Sequence, residues 1–108
     1  MTIGIYILEL HLPLARSLKD KRQVFRRVKD RLRARYNVAV AESPEHAELW
    51  QRGLLTIVSV ASDQDALVRL FEAIYRETES SLPGQILERG SDFIDAAAGD
   101  AGLWGEER

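Results

Sequence analysis

Ten of the fifteen lysines and arginines of this chain lie between residues 16 and 35, together with only two of its seventeen acids, Asp20 and Asp30. The net charge of −2 conceals that split. Cations at this density suit one kind of chemistry: they neutralise phosphates and release the counterions that a polyanion carries. Placed on a helix at about 100° per residue, Lys19, Arg22, Arg26, Lys29 and Arg33 share an arc of about 80° and form a ridge about 20 Å long. Arg27, Arg31 and Arg35 lie on other bearings and widen the positive region. At the start of that helix, free backbone amides beside Arg16, Ser17, Lys19 and Arg22 make an anion site. Contacts of this kind hold a nucleic-acid backbone without reading its sequence, and they weaken as salt rises.

The plainer reading is a solvated helix face, because Lys and Arg are good helix formers. Two features weigh against it. Like charges three and four residues apart repel, and few acids compensate them here. Lys19, Lys21 and Arg22 also occupy the first turns, where the helix dipole already presents positive charge and acids would be stabilising.

Other chemistry is sparse. The two histidines, His11 and His46, are too far apart for a metal-ligand motif. His46, in the loop Ser43-Pro44-Glu45-His46, reads as an ordinary surface residue, and His11 as a structural one at a strand end. A phosphate-ester or acyl-phosphate hydrolase built on the His11, Arg16 and Ser17 corner is the enzymatic alternative. Against it, the chain has no glycine-rich phosphate loop, nucleophile elbow or HExxH. Acylphosphatases, which share the topology deduced below, cradle phosphate in a glycine-containing loop; here that loop is Pro13-Leu14-Ala15-Arg16. With no cysteine, disulfides and thiolate metal sites are excluded. No catalytic residue, metal or cofactor is expected. Trp50, in Trp50-Gln51-Arg52, reads as a structural anchor, with a share in a binding surface as its alternative.

The elements that must position these residues follow from periodicity. Ile3 to Leu12 alternates as a strand and stops at Pro13. Gly4, Tyr6, Leu8, Leu10 and Leu12 share one face, and Ile3, Ile5, Ile7, Glu9 and His11 the other. A helix runs from Leu18 to about Tyr36, with Ser17 as N-cap, Asp20 closing a capping box, and Leu18, Phe25, Val28, Leu32 and Tyr36 as its buried stripe. Val38 to Glu42 and Gly53 to Ala61 read as strands. A second helix, Asp63 to Ser81, is capped by Ser62 and buries Leu67, Leu70, Phe71, Ile74 and Tyr75. After Pro83-Gly84, Gln85 to Ile94 is a strand with a bulge or bend expected at Gly90.

The order βαββαβ predicts an α+β, ferredoxin-like sandwich: a four-stranded antiparallel sheet with two helices on one face. Residues 1–95 form that domain, and 96–108, rich in Ala, Gly and acids, read as a flexible acidic tail. RNA-recognition domains share the topology and stack bases on sheet aromatics. Here Leu54, Leu55, Ile57 and Ser59 stand where such aromatics would be, which assigns any RNA contact to the helix face. The open face of the sheet, with Ile3, Ile5 and Ile7, predicts cover by a second copy, a homodimer. The apolar runs are too short for a membrane helix and the start lacks a signal-peptide pattern, so no membrane contact and a cytoplasmic location are expected.

Leu10-His11-Leu12-Pro13, Ser17-Leu18-Lys19-Asp20-Lys21-Arg22, Asn37-Val38-Ala39-Val40-Ala41-Glu42 and Leu49-Trp50-Gln51-Arg52 resemble the bacterial YlxP-like family, a conserved domain family of unknown function. The likeness runs from about residue 2 to 95, with Asp20 where the family usually carries glutamate. The resemblance implies a ferredoxin-like fold and a bacterial cytoplasmic protein whose genes often neighbour those for translation and ribosome maturation. It implies no established reaction, and by association it favours RNA or a ribosomal particle as the polyanion. The leading expectation is thus a non-enzymatic RNA- or ribosome-associated binding domain. Its alternative is a homodimeric protein-interaction module without nucleic-acid binding.

Overall fold

Alternating apolar residues and two amphipathic runs do form the predicted order. The computed structural model describes residues 1–95; the tail reading for 96–108 lies outside them. The elements are β1 (Thr2–His11), α1 (Leu18–Arg35), β2 (Ala39–Glu42), β3 (Arg52–Ala61), α2 (Gln64–Ser81) and β4 (Ile86–Asp95). They build an antiparallel sheet of order β2-β3-β1-β4, the α+β ferredoxin-like arrangement. β1 is central and pairs with β3 along its whole length, from Thr2 opposite Ala61 to His11 opposite Arg52.

The two-residue period of the strands and the 3.6-residue period of the helices meet in one core. Tyr6, Leu8 and Leu10 of β1 and Leu55 and Ile57 of β3 bury against Phe25, Val28 and Leu32 of α1 and Leu67, Phe71 and Ile74 of α2. Gly53 is required by a close approach. A β-carbon there would lie 2.5 Å from Phe25 Cζ and 3.0 Å from Lys21 Cε, so the bare backbone is what lets the ring lie on the strand. Among the described residues, no helix is long and apolar enough to cross a membrane.

The boundaries differ from the sequence reading in instructive ways. α1 begins at the expected cap, where the Ser17 hydroxyl accepts from the Asp20 amide at 3.1 Å, but the expected capping box is not closed: the Asp20 carboxylate accepts from the Arg16 amide at 2.9 Å, one residue before the cap. It ends one residue early, with Tyr36 already extended. The cap of α2 is Asp63, not Ser62; its carboxylate accepts from the Ala66 amide at 2.9 Å. An acid there satisfies the amide and also answers the positive end of the helix. The expected irregularity at Gly90 is also corrected. Gly90 pairs in register with Ile7, and the register shifts lower down, where Glu9 faces Glu88 but Leu10 faces Ile86. Leu87 is the extra residue and is exposed. The shift turns Ile86 inward to pack on the core.

A candidate anion-binding face on the first helix

Phe25, Val28 and Leu32 fix which way α1 faces, and the cations follow from that. Lys19, Arg22 and Arg26 are exposed along the flank beside that stripe, Arg16 is exposed just before the helix, and Lys29 is half-buried. None of these five pairs with an acidic side chain of the described residues. Arg33 is different. It donates to the Val40 carbonyl at 3.0 Å, tying α1 to the β2 edge, and stands 3.7 Å from Asp30. Of the cations on other bearings, Arg27 is exposed and pairs with no acidic side chain of the described residues, whereas Arg31 and Arg35 are engaged. Arg31 donates to the Ser81 hydroxyl of α2. Arg35 pairs with Glu77 at 3.2 Å, and the Tyr36 hydroxyl donates to that same carboxylate at 2.9 Å. The ridge thus narrows to Lys19, Arg22, Arg26 and Lys29, extended at its start by Arg16. At the helix start, the Ser17 hydroxyl and the Asp20 carboxylate take two of the nearby amides, those of Asp20 and Arg16.

Lys21, counted from the sequence with the positive first turns, is buried, at 1% exposure. It lies on the row of Phe25, Val28 and Leu32, and its stem runs beside Phe25 over Gly53, with the ammonium 5.8 Å from the Phe25 ring centre. The ammonium donates to the carbonyls of His46, at 2.7 Å, and Leu49, at 2.9 Å, and pairs with Glu42 at 3.2 Å. A buried ammonium needs such partners, and here they organise the loop between β2 and β3. The signal was available in the sequence: a lysine in phase with the apolar stripe.

Two more ties hold that loop. The Gln51 amide nitrogen donates to the carbonyls of Pro13, at 3.3 Å, and Ala15, at 3.2 Å, while the Leu12 amide donates to the Gln51 carbonyl at 2.8 Å. Arg52 reaches Glu9 on the open face of the sheet, its Nε at 2.9 Å. His46 is not an ordinary surface residue. It is half-buried, its backbone is left-handed (φ 64°), and its Nε2 lies 3.6 Å from the Glu9 carboxylate. The left-handed backbone is costly for a residue with a β-carbon, and the Lys21 bond to its carbonyl helps to hold it. Trp50, expected as an anchor, is 52% exposed, with Leu49 beside it at 47%. The anchors are its neighbours, Lys21, Gln51 and Arg52.

His11 pairs with Arg52 in the β1–β3 register and is half-buried. Among the described residues, no side-chain hydrogen bond or ion pair joins it to Arg16 or Ser17. On the open face, Ile3 and Ile5 are half-buried and Ile7 is 39% exposed. Ile3 lies between Val60 and Ile94, both about half exposed, so an apolar row crosses three strands.

A family model described as "Protein of unknown function (DUF503)" matches residues 3–90. No curated protein matches the chain. Among solved structures, one similar chain is "De novo designed protein Foldit4", 14% identical, covering 90% of this chain and 100% of its own length with a TM-score of 0.53. At that identity the likeness concerns the fold alone.

Proposed function

We propose that this chain, which belongs to the DUF503 family, is a non-enzymatic domain that binds RNA, free or in a ribosomal particle, through the exposed ridge of α1. The observation that carries the reading is the set Lys19, Arg22, Arg26 and Lys29, side by side on one flank with no acidic partner among the described residues. A helix pays for such like-charge neighbours at about 0.2–0.5 kcal/mol per pair. Bound phosphates reverse that sign, since each cation then neutralises a charge and releases a counterion. The ridge is straight, and its exposed cations repeat at three- and four-residue steps, which suits a backbone and not a compact anion. The resemblance to YlxP-like proteins, with their translation-linked gene neighbours, favours ribosomal RNA and a cytoplasmic location.

The test is co-sedimentation with ribosomal particles and a binding titration with a structured RNA, comparing the parent with Lys19→Glu/Arg22→Glu/Arg26→Glu. The triple variant should keep its thermal transition and lose both forms of binding. Equal binding by parent and variant at equal salt sinks the reading.

A second reading rests on the apolar row Ile94–Ile3–Val60 and its neighbours Ile5 and Ile7. A two-fold axis would set this patch against itself, since a symmetric dimer uses the same surface twice. Light scattering should then report a dimer that Ile3→Lys/Ile7→Lys converts to a monomer. A parent that stays monomeric at high concentration removes this reading, and the two readings are independent of each other.

A further inference from the structure

The loop between β2 and β3 is held unusually well for a segment that shows large apolar side chains to solvent. Lys21 takes the His46 and Leu49 carbonyls from the α1 side, Gln51 takes the Pro13 and Ala15 carbonyls, and Arg52 is tied to Glu9. Between these ties Leu49 and Trp50 are about half exposed. They line a shallow cleft of about 440 Å³ with Glu48, Gln51 and Arg52. Its place matters. Lys21 is flanked in the chain by Asp20 and Arg22, and Pro13 and Ala15 lead directly to Arg16 and the helix start. The fixed loop, which carries Trp50, therefore lies beside the N-terminal end of α1, where the cationic ridge begins.

The chemistry of the two surfaces is complementary. The ridge offers charge and no aromatic ring. The loop offers an indole, a leucine and the acids Glu45 and Glu48, which disfavour phosphate but not the uncharged face of a base. A single strand with its phosphates along α1 has unpaired bases free to stack on such a platform, whereas in a duplex those faces are already stacked.

We infer that Trp50, held out by Lys21 and Gln51, is a base-stacking platform that makes single-stranded RNA the preferred ligand of the α1 ridge. The inference rests on the RNA-binding reading above and adds to it the class of RNA and the residue that selects it. Stacking is sequence-tolerant, because every base has a flat face. The preference is for strandedness, not sequence.

The test uses the full chain carrying Trp104→Phe, so that Trp50 is the sole tryptophan, with a fluorescein-labelled 12-nucleotide single-stranded RNA and a 12-base-pair duplex as probes. The single strand should quench Trp50 emission in step with its anisotropy change. Trp50→Ala should weaken single-strand binding by about 5- to 150-fold and leave duplex binding within about twofold, while Trp50→Phe recovers part of the loss. Binding of the single strand without quenching, or with equal affinity in Trp50→Ala, overturns the platform and leaves the ridge reading standing. If neither RNA binds at low salt, both fall. A Trp50 emission change that follows protein concentration alone makes the residue a protein contact and also overturns the inference.

Discussion

Replacing Lys21 with methionine keeps the stem that packs against Phe25 and removes only the ammonium. Two carbonyls, those of His46 and Leu49, then lose a charged donor at 2.7 and 2.9 Å, and Glu42 loses a counter-charge at 3.2 Å. A hydrogen bond to a charged group contributes about 1.5–3 kcal/mol, and breaking a buried pair costs about 3–5 kcal/mol. Glu42 is a quarter exposed and is rehydrated when released, so the low end applies: about 3 kcal/mol. At a slope of about 1.5 kcal/mol per molar urea, the midpoint falls by about 2 M. The melting temperature falls by roughly 12–24 °C for a domain of this size. Urea unfolding followed by far-UV circular dichroism measures the loss. Lys19→Met, which removes an equal charge from the exposed flank, serves as the control and should stay within about 0.5 kcal/mol of the parent. A loss below about 1 kcal/mol for Lys21→Met, or equal losses for the two variants, refutes the buried-anchor argument.

Other outcomes follow from particular contacts. Gly53→Ala drives a β-carbon into the Phe25 ring, at 2.5 Å in the unrelaxed geometry, and should cost about 1–3 kcal/mol by chemical denaturation; Phe25→Leu in the same chain should recover part of it. The Tyr6 hydroxyl is buried without a hydrogen-bond partner, and burial, opposed by nearby Arg89, pushes its pKa above the usual 10.0. The unfolded chain therefore ionises first, and stability that is complete below about pH 10 is lost as pH rises beyond it. Tyr6→Phe keeps the ring stacked on Phe71 at 4.6 Å and should flatten part of that alkaline decline in pH-dependent melts. A share remains from Tyr36, which burial and its bond to Glu77 also raise. At neutral pH the same variant should match the parent or gain about 1 kcal/mol; a loss of that size would mean the hydroxyl is bonded after all.

The strands and helices were legible because their periods were clean. Tyr6, Leu8 and Leu10 against Leu55 and Ile57, and Phe25, Val28 and Leu32 in helical phase, leave little freedom in how the layers meet. The details that escaped depend on partners far apart in the chain. Nothing within Ile86 to Asp95 says that Leu87 is extruded; that follows from Leu10 opposite requiring Ile86 inward. Asp63 and Ser62 are both good caps, and only the geometry of the first turn separates them. In the candidate site, Lys21 was legible in principle, being in phase with the apolar stripe, but its partners at His46 and Leu49 are supplied by a loop without periodicity. Arg33 leaves the ridge because the β2 edge offers it a carbonyl, a tertiary fact. Trp50 was misassigned for the same reason: the anchoring falls to Lys21, Gln51 and Arg52, and the indole is left outside.

The most direct test of the central claim is the salt dependence of binding to a single-stranded RNA. Four cations that each neutralise a phosphate predict a slope of log K against log salt of about −2.8, at about −0.7 per contact for single strands. Neutralising Lys19, Arg22, Arg26 and Lys29 one at a time should reduce its magnitude by about 0.7 each, and neutralising all four should flatten it. A slope near zero in the parent, or one unchanged in the fourfold variant, would contradict the assignment of the ridge as the RNA-binding face.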